Sequence, residues 1–579
     1  MRIVRALGSA RQRHVASTAV CAALVSASGF AAAAGLELLP EGGARSVSRG
    51  GAVLAKPEDP MAMSTNPAGL AFLPGNRLVT GIDLSVNQMC AAPYGYYGWG
   101  IYTDKPSEFG NPVALDKPTN PTIGATYATT PLPRVCNSAP ASPIPQLAWA
   151  GKVTDRLALG FGFLAPVVVP GLQFGGADGT VETPYGPRPT PTRYSMVKQT
   201  ATDALAASAT AAYQILPTLA AGLTAEVLMI RAQATVVQNE FGGTQPATDW
   251  LANITTQDFF IPALTASVHG RPLDFLDLTG AFHWSDDVRG SGDVVYQTNT
   301  FHRGAKTGPV PYTNPPIFLS EVTVRQPWSL TGGVRVHGAL PDEGKRGDPM
   351  DTELWDVEVD ASYSFFKRSG TTTVSVGQDV TITTKEAGGA AGTNTVKEKD
   401  LSSLNVDGHL KDVYTVRLGA SYSLLPRKLS INAGAFYESR GVDPAYADIT
   451  TFAFQRIGTG LGAVVRLGDW DLAAGYGHIF SESLNVAPPP HQNVEAAKPG
   501  DPTSGFDQRV GGSFDGTGTR VGGTVLADPS APDPSKADAV ARKTQQAAVA
   551  TTAQPNRVVN AGRYTAGFNI LSVSVVYHF

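Results

Sequence analysis

The chain has 579 residues, a net charge of −4, 16% charged residues and a mean hydropathy of −0.06. This balance, without any Lys/Arg-rich stretch, predicts no nucleic-acid partner. After residue 35 no apolar run reaches the length of roughly 18 residues that a membrane helix needs. The motifs of serine hydrolases, zinc proteases and P-loop proteins are missing, so we expect no enzyme and no cofactor.

The first residues predict a signal peptide. Residues 1–14 carry four arginines, residues 15–34 carry no charge, and the stretch ends in Phe30 and four alanines. A secretory signal peptide has this order, with a positively charged start, an apolar middle and small residues at the cleavage site. We predict a signal peptide at residues 1–34 and export of the remainder. A single anchoring helix is the alternative.

Residues 35–75 are rich in Gly, Ala and Pro and show no alternation of apolar and polar positions. Asn66, Pro67, Ala68 and Gly69 predict a tight turn, because proline fixes φ and glycine allows a positive φ. We predict that this segment is a hatch, or plug, that folds back inside a β-barrel formed by the rest of the chain. A shift of the turn would open or close the route through that barrel. A simple turn into the first strand is the alternative.

Apolar and polar residues alternate in many later segments. In Trp355–Phe366 the odd positions are apolar and five of the six even positions are polar. This period of two predicts β-strands whose two faces lie in different environments. Fourteen strands are predicted, at 77–90, 146–154, 157–170, 203–215, 218–237, 259–271, 275–297, 322–338, 354–367, 412–424, 427–440, 452–467, 469–483 and 564–579.

The connections between these segments alternate in length. Short turns such as 154–156 and 425–427 alternate with long segments, of which the longest are 91–145, 171–202, 368–411 and 484–563. An even strand number, short periplasmic turns and long external loops are typical of outer-membrane barrels. We predict an all-β transmembrane antiparallel barrel of 14 strands at residues 76–579, in the outer membrane of a Gram-negative bacterium, with both termini periplasmic.

The cysteines and the chain end give two further predictions. Cys90 and Cys136 remain after signal cleavage, and an oxidising compartment favours a disulfide between them; two free thiols are the alternative. The last strand ends in Phe579, as outer-membrane barrels typically do. This end predicts recognition by the barrel assembly machinery, and the barrel itself predicts contact with membrane lipid and lipopolysaccharide.

Four stretches carry a family resemblance. Glu58-Asp59 followed by Ser64–Leu70 resembles the amino-terminal signature of the FadL-like outer-membrane transporters of long-chain fatty acids and other hydrophobic compounds. Residues 414–444, residues 460–480 and the carboxy-terminal strand also resemble that family. The resemblance implies a fourteen-stranded barrel, a hatch in the lumen and passive uptake of fatty acids, alkanes or aromatics. The long segment 484–563 and Pro60–Met63 depart from the family pattern.

The resemblance also implies a lateral gate, because the family has a kink in its third strand. Here Pro166 and Pro170, followed by Gly171, would interrupt that strand, since proline cannot donate to the ladder. The alternative is that Pro166 marks the point where the strand leaves the bilayer.

Alternation places Arg335, Arg417 and Arg466 on the polar face of their strands. One of them would bind a fatty-acid carboxylate through a charge-assisted pair of hydrogen bonds. Pairing with acidic neighbours on the same face is the alternative. For the whole protein, a general diffusion porin and a surface-display or adhesin barrel are the alternatives to a transporter of hydrophobic molecules.

Overall fold

A computed structural model describes residues 42–93, 132–164, 171–176, 179–183, 186–193, 195–200, 203–239, 249–298, 310–311, 317–340, 347–376, 380–384, 392–396, 404–407, 410–444, 447, 449, 453–486, 513–514, 520–521 and 562–579. The predicted signal peptide at 1–34 and the prolines Pro166 and Pro170 lie outside these residues. Within the described ranges, no helix is long and apolar enough to cross a membrane.

Fourteen antiparallel strands form the main sheet. They are β1 (Asn76–Asn87), β2 (Ser142–Lys152), β3 (Leu157–Leu164), β4 (Asp203–Leu216), β5 (Leu219–Asn239), β6 (Asp249–Leu273), β7 (Leu276–Ser285 and Val288–Thr298), β8 (Ile317–Val324 and Ser329–Ala339), β9 (Glu353–Ser364 and Thr371–Val376), β10 (Leu404–Asp407 and Val413–Leu425), β11 (Leu429–Glu438), β12 (Arg456–Leu467), β13 (Trp470–Ser481) and β14 (Gly567–His578).

The sheet closes on itself. Each strand pairs with the next one along the chain, and β14 pairs with β1 from Arg77–His578 to Asn87–Phe568. Closure leaves a ring of paired strands, which removes the unpaired edges of an open sheet. The prediction of an all-β antiparallel barrel with fourteen strands is confirmed.

Strand boundaries differ most from the predictions at β6, β9 and β10. β6 begins at Asp249 instead of 259, β9 extends to Val376 instead of 367, and β10 begins at Leu404 instead of 412. In the added part of β6, Ala252 and Ile254 are buried, so apolar side chains point inward here. The prediction expected apolar side chains to point outward, as they do on the rest of the wall.

The two ends of the barrel differ in their connections. Short turns join β2 to β3, β4 to β5, β6 to β7, β10 to β11 and β12 to β13; the last has Gly468 at φ 61°, in the left-handed region. A longer turn between β8 and β9 contains a helix, Pro349–Thr352, that Asp348 caps by accepting from the Met350 N–H at 2.9 Å. We call this side the turn end and the opposite side the loop end.

Burial on the strands is the reverse of that in a soluble protein. Val357 and Val359 on β9 are 41% and 45% exposed, whereas Asp356, Glu358 and Asp360 are at most 2% exposed. Apolar residues therefore face outward, as contact with hydrocarbon requires, and the polar residues face the lumen. Near the turn end the exterior carries exposed aromatic residues, among them Trp355, Tyr422 and Trp470.

Short strands occur at the loop end within the predicted loops. Cys90–Pro93, Val135–Cys136, Gly562–Thr565 and Leu484–Val486 form a four-stranded sheet, here called the cap sheet, and Cys90 is disulfide-bonded to Cys136. The other short strands are Leu172–Gln173, Thr180–Thr183, Gly186–Pro189, Lys198–Gln199, Val310–Pro311, Val380–Thr384, Gly392–Val396, Ser513–Phe514 and Arg520–Val521. A 3-10 helix, Phe366–Gly370, interrupts β9.

Residues 42–75, the N-terminal segment, precede β1. They contain helix α1 (Gly43–Ser48), a single helical turn α2 (Ala62–Thr65) and a 3-10 helix (Pro67–Phe72) that begins at Pro67. All six residues of α1 are buried although three of them are polar. Burial of polar groups costs free energy unless they find partners. The wall supplies partners for two of the three, because Arg45 pairs with Asp471 and Ser48 accepts from the Asn432 amide.

Candidate functional site

Arg49 forms ion pairs that join the N-terminal segment to β9. Its side chain is fully buried, and its guanidinium lies 2.8 Å from the Asp356 carboxylate and 3.0 Å from that of Glu358. It also donates to the Ser421 hydroxyl on β10. Burial acts to lower the pKa of Arg49, but the two carboxylates outweigh burial and raise it, so the guanidinium stays charged.

Arg45 and Lys56 extend this ionic network. The Arg45 guanidinium lies 2.8 Å from Asp471 on β13 and 3.2 Å from Glu58. The Lys56 ammonium lies 2.8 Å from Asp356 and 3.3 Å from Glu58. Three basic residues of the N-terminal segment are thus each paired with a wall carboxylate, on β9 or on β13.

Two acidic residues within the N-terminal segment respond to this network in opposite ways. Burial acts to raise the pKa of Glu58, but Lys56 and Arg45 outweigh it and lower that pKa. Burial raises the pKa of the adjacent Asp59 in spite of Arg45. Glu58 is therefore the firmly ionised member of the pair.

Wall carboxylates also hold the backbone of the N-terminal segment. Asp360 accepts from the N–H groups of Val53 and Leu54 at 3.1 and 3.2 Å, and Glu358 accepts from that of Ala55 at 2.5 Å. Three consecutive residues are therefore fixed to β9 through their main chain, whatever their side chains.

The predicted turn at Asn66 lies against β6. The Asn66 side-chain oxygen accepts from the Gly69 N–H at 3.1 Å and from the Ser267 hydroxyl at 3.0 Å. The Ala68 N–H donates to the same hydroxyl at 2.8 Å. The Asn66 amide donates to the Leu54 carbonyl at 2.7 Å. Asn66 therefore links the turn to the wall and to the stretch held by β9.

The reason given for Gly69 in the sequence prediction is wrong. Gly69 does not have a positive φ. A Cβ at this position would lie 2.6 Å from the Pro57 Cβ. Glycine is therefore needed here because two parts of the N-terminal segment pass too close together for a side chain.

Inward-facing glycines bring the N-terminal segment into backbone contact with the wall. A Cβ on Gly434 of β11 would lie 2.0 Å from the Arg49 carbonyl oxygen, and one on Gly222 of β5 would lie 2.3 Å from the Ala68 nitrogen. No other residue would fit there without a shift of the backbone. Similar close approaches occur at Gly419, Gly460, Gly462 and Gly475.

The three predicted arginines all lie on the inner face but have different partners. Arg335 pairs with Asp277 at 2.9 Å and with Glu353. Arg466 bonds to Asp471, Asp348 and Asp351 at 2.6 to 3.2 Å. Arg417 is half-buried and donates to the Ser362 hydroxyl at 3.2 Å. Pairing with acids, the alternative in the sequence analysis, thus describes Arg335 and Arg466.

The lumen at the loop end is lined by apolar side chains. Buried residues that contact one another here come from β5 to β8, β10, β13 and β14, and Val47 of α1 joins them from the N-terminal segment. From the strands they are Ala232, Ala234, Val236, Ala252, Ile254, Val294, Leu319, Val322, Val324, Val413, Ile479, Phe568 and Ile570. We call this set the apolar lining.

The cap sheet packs on the outer side of the apolar lining. Met89, Ala91, Val135, Leu484 and Tyr564 are buried in the same cluster. The cluster therefore extends without a break from the cap sheet to α1. The disulfide between the first two cap strands fixes this contact close to the end of β1.

Gly171, the described part of the predicted gate, lies at the loop end. Its N–H donates to the Ser142 hydroxyl of β2 at 3.4 Å, and its carbonyl accepts from the Asn137 amide at 3.2 Å. Strand β3 ends at Leu164, before both prolines. The gate itself remains a prediction.

The sequence analysis missed Arg45, Arg49 and Lys56, which carry most of the ionic contacts of the N-terminal segment. Arg45 and Arg49 are four residues apart, which places both on one side of a helical turn. That spacing, together with glycines at the inward positions of strands, was the available signal.

Similar solved structures were found, but no protein-family model and no curated protein matches this chain. A FadL homologue from Pseudomonas aeruginosa is 14% identical with a TM-score of 0.58. The toluene transporter TodX from Pseudomonas putida is 12% identical with a TM-score of 0.53, and a TodX deltaS2S3 mutant, a monoaromatic hydrocarbon channel, is 12% identical with a TM-score of 0.52. Each match covers 93% of this chain and 99% of the other. The chain has the FadL-like fold.

Proposed function

We propose that this protein is an outer-membrane transporter that lets hydrophobic molecules pass by diffusion. The observation that carries the proposal is the apolar lining of the lumen at the loop end. The inner face of a water-filled pore is polar. An apolar solute, in contrast, is stabilised by contact with buried apolar residues. The shared fold with a FadL homologue and with a toluene transporter supports the same function.

In this proposal the N-terminal segment is the plug. Its contacts with β5, β6, β9, β10, β11 and β13 support a position across the lumen at the turn end. The turn at Asn66–Gly69 is a proposed moving part, because only neutral hydrogen bonds hold it to β6. The arginine contacts then form the fixed part.

Arg417 is the proposed contact for a ligand carboxylate. Arg335 and Arg466 are each engaged by two or more acids, whereas Arg417 donates to the neutral Ser362 hydroxyl and lies opposite Asp360 in the ladder. It is placed between the ionic network and the apolar lining. An acyl chain along the lining would bring its polar end close to this guanidinium.

The remaining features complete the proposal. The signal peptide directs export, both termini lie in the periplasm, and the loop end faces outward and contacts lipopolysaccharide. Phe579 at the end of β14 is the recognition signal for barrel assembly. Exit occurs past the plug or laterally near Pro166, Pro170 and Gly171.

The test is native mass spectrometry of the protein purified from its own membrane, combined with uptake of radiolabelled palmitate and of toluene by cells with and without it. A bound acyl chain or hydrocarbon, and uptake that depends on the protein, are expected. A consistently empty pore that passes small sugars at the rate of a porin would contradict the proposal. A partner that binds 484–563 with no effect on uptake would instead favour an adhesin.

A further inference from the structure

The wall of the barrel contains a seam where strand pairing is interrupted. Between β6 and β7 the ladder ends at Ala263–Ser285 and resumes at Gln257–Ser291. The next three pairs of strands are interrupted at neighbouring positions. The ladder of β7 with β8 stops at His283–Ser329 and resumes at Val288–Val324. The ladder of β8 with β9 stops at Ser329–Ser364 and resumes at Val324–Thr372, and that of β9 with β10 stops at Ser364–Val413 and resumes at Thr371–Asp407.

At the seam, two hydrogen bonds join β6 and β7. The Asp286 N–H donates to the Pro262 carbonyl at 2.9 Å, and the Arg289 N–H donates to the Asp258 carboxylate at 2.7 Å. The ion pair of the Arg289 guanidinium with Asp286, at 3.2 Å, lies within β7 and does not cross the seam. Because these two bonds replace the regular ladder, the wall is more easily separated here.

Two phenylalanines lie on the outer surface beside the seam. Phe259 and Phe260 are 56% and 72% exposed although they are adjacent in the chain. Both face outward because the register of β6 against β5 shifts between Leu228 and Ile230, which places a bulge at this point. The bulge therefore presents a continuous apolar surface where the strand pairing is weakest.

Apolar residues continue from this surface to the lumen. Ile261, next to the phenylalanines, is buried in a small cluster with Leu228 and Ala263. Val288, the first residue of β7 beyond the seam, packs against this cluster and also against the apolar lining. Apolar contacts thus run along the inner face of the wall, from Ile261 beside the phenylalanines to the proposed path.

The seam lies at the level of the lipid headgroups. The 10 residues of β7 below it, Leu276–Ser285, rise about 3.3 Å each along a strand tilted by about 40°, so they span roughly 25 Å. The outward apolar band of such barrels is about 25 Å tall. Asp286, Arg289 and Arg368 at the seam are charged, as residues at this boundary usually are.

We propose that the seam is a lateral port through which an elongated apolar molecule moves between the outer leaflet and the apolar lining. It opens when the hydrogen bonds of Arg289 with Asp258 and of Asp286 with Pro262 separate. This inference rests on the proposed function and adds a site distinct from the one near Pro166 and Pro170. A molecule with a long chain and a small polar end fits, because charged groups lie directly beside the apolar passage.

A reversible cross-link tests the port. Asp258→Cys with Arg289→Cys, joined by oxidation or by a short dithiol reagent, holds β6 to β7 across the seam. Val268→Cys with Gly280→Cys is the control, since these residues are paired on the same two strands below the seam. We expect the seam cross-link to slow palmitate uptake at least fivefold and a reductant to restore it, while the control pair and the wild type change less than twofold.

A second variant gives the same information without a cross-link. Val288→Trp fills the passage from inside and should slow uptake, whereas Val334→Trp on the lipid-facing side of β8 should not. Normal uptake in both the cross-linked seam and Val288→Trp would overturn the port while leaving the proposed function intact. If the wild type itself takes up no palmitate or toluene and carries no bound hydrocarbon, the proposed function fails, and the port fails with it.

Discussion

The two ends of the lumen differ in the side chains that line them. At the turn end the N-terminal segment meets the wall through buried ion pairs, such as Arg49 with Asp356, and through glycines that admit its backbone. At the loop end the wall presents aliphatic residues such as Val236 and Ile254. Ion pairs specify one position for a segment, whereas aliphatic surfaces accept many apolar partners. The turn end is thus suited to hold a segment of the protein in one position, and the loop end is suited to contact apolar molecules of different shapes.

The largest expected effect comes from Arg49→Met, which leaves Asp356 and Glu358 buried without their main cation. Removing one partner of a buried pair costs about 3–5 kcal/mol. We expect the N-terminal segment to leave its position and the channel conductance in planar bilayers to rise. Lys411→Met is the control: its pair with Asp443 is exposed, so a change of at most about 1 kcal/mol and unaltered conductance are expected. Equal conductance in both variants would refute the plug.

Gly434→Ala tests the close approach of the backbones. The added methyl group would overlap the Arg49 carbonyl, and overpacking of this kind costs about 1–3 kcal/mol. We expect intermittent opening in single-channel recordings. Gly280→Ala is the matched control, because a Cβ there meets nothing within 4 Å. A silent Gly434→Ala variant would show that the N-terminal segment can shift without consequence.

Ile254→Asn tests the loop end. An amide without a hydrogen-bond partner among aliphatic neighbours costs about 1–3 kcal/mol, and an apolar ligand would lose contact with the wall. We expect affinity for a fluorescent fatty acid to fall roughly tenfold, which corresponds to about 1.4 kcal/mol. Thr256→Asn, a polar exchange two residues further along β6, should leave binding nearly unchanged. Unaltered affinity in Ile254→Asn would place the ligand elsewhere.

The smallest effect concerns acid pH. Burial acts to raise the pKa of Asp348, but Arg77 and Arg466 outweigh it and lower that pKa. A carboxylate with a lowered pKa stabilises the folded state above its unfolded pKa, and this contribution is lost as the pH falls through the folded pKa. We expect the conductance of the wild type to be constant at neutral pH and to rise only in acid, at a pH below the ordinary pKa of an aspartate. In Asp348→Asn this acid-dependent rise should be smaller, and an identical pH profile would contradict the role of Asp348.

The sequence predicted the wall better than its contents. Alternation such as that around Trp355 depends only on the two faces of one strand, so the strand number and closure were correct. The pairing of Arg49 with Asp356 joins residues about 300 positions apart, and no local pattern records it. The bulge at Phe259 was missed for a related reason, since a register shift is a property of two strands. Where apolar residues turn inward, as at Ile254, the alternation remains but its meaning is reversed.

The pairing of β14 with β1 also constrains how the protein is assembled. At Asp83 and Ser572 these two strands are 489 positions apart in the chain, so the ring closes only through its most distant strands. The N-terminal segment runs directly into β1, and its Glu58 carbonyl accepts from the Arg77 guanidinium next to this closing contact. Closure of the ring and placement of the N-terminal segment therefore depend on the same part of the wall.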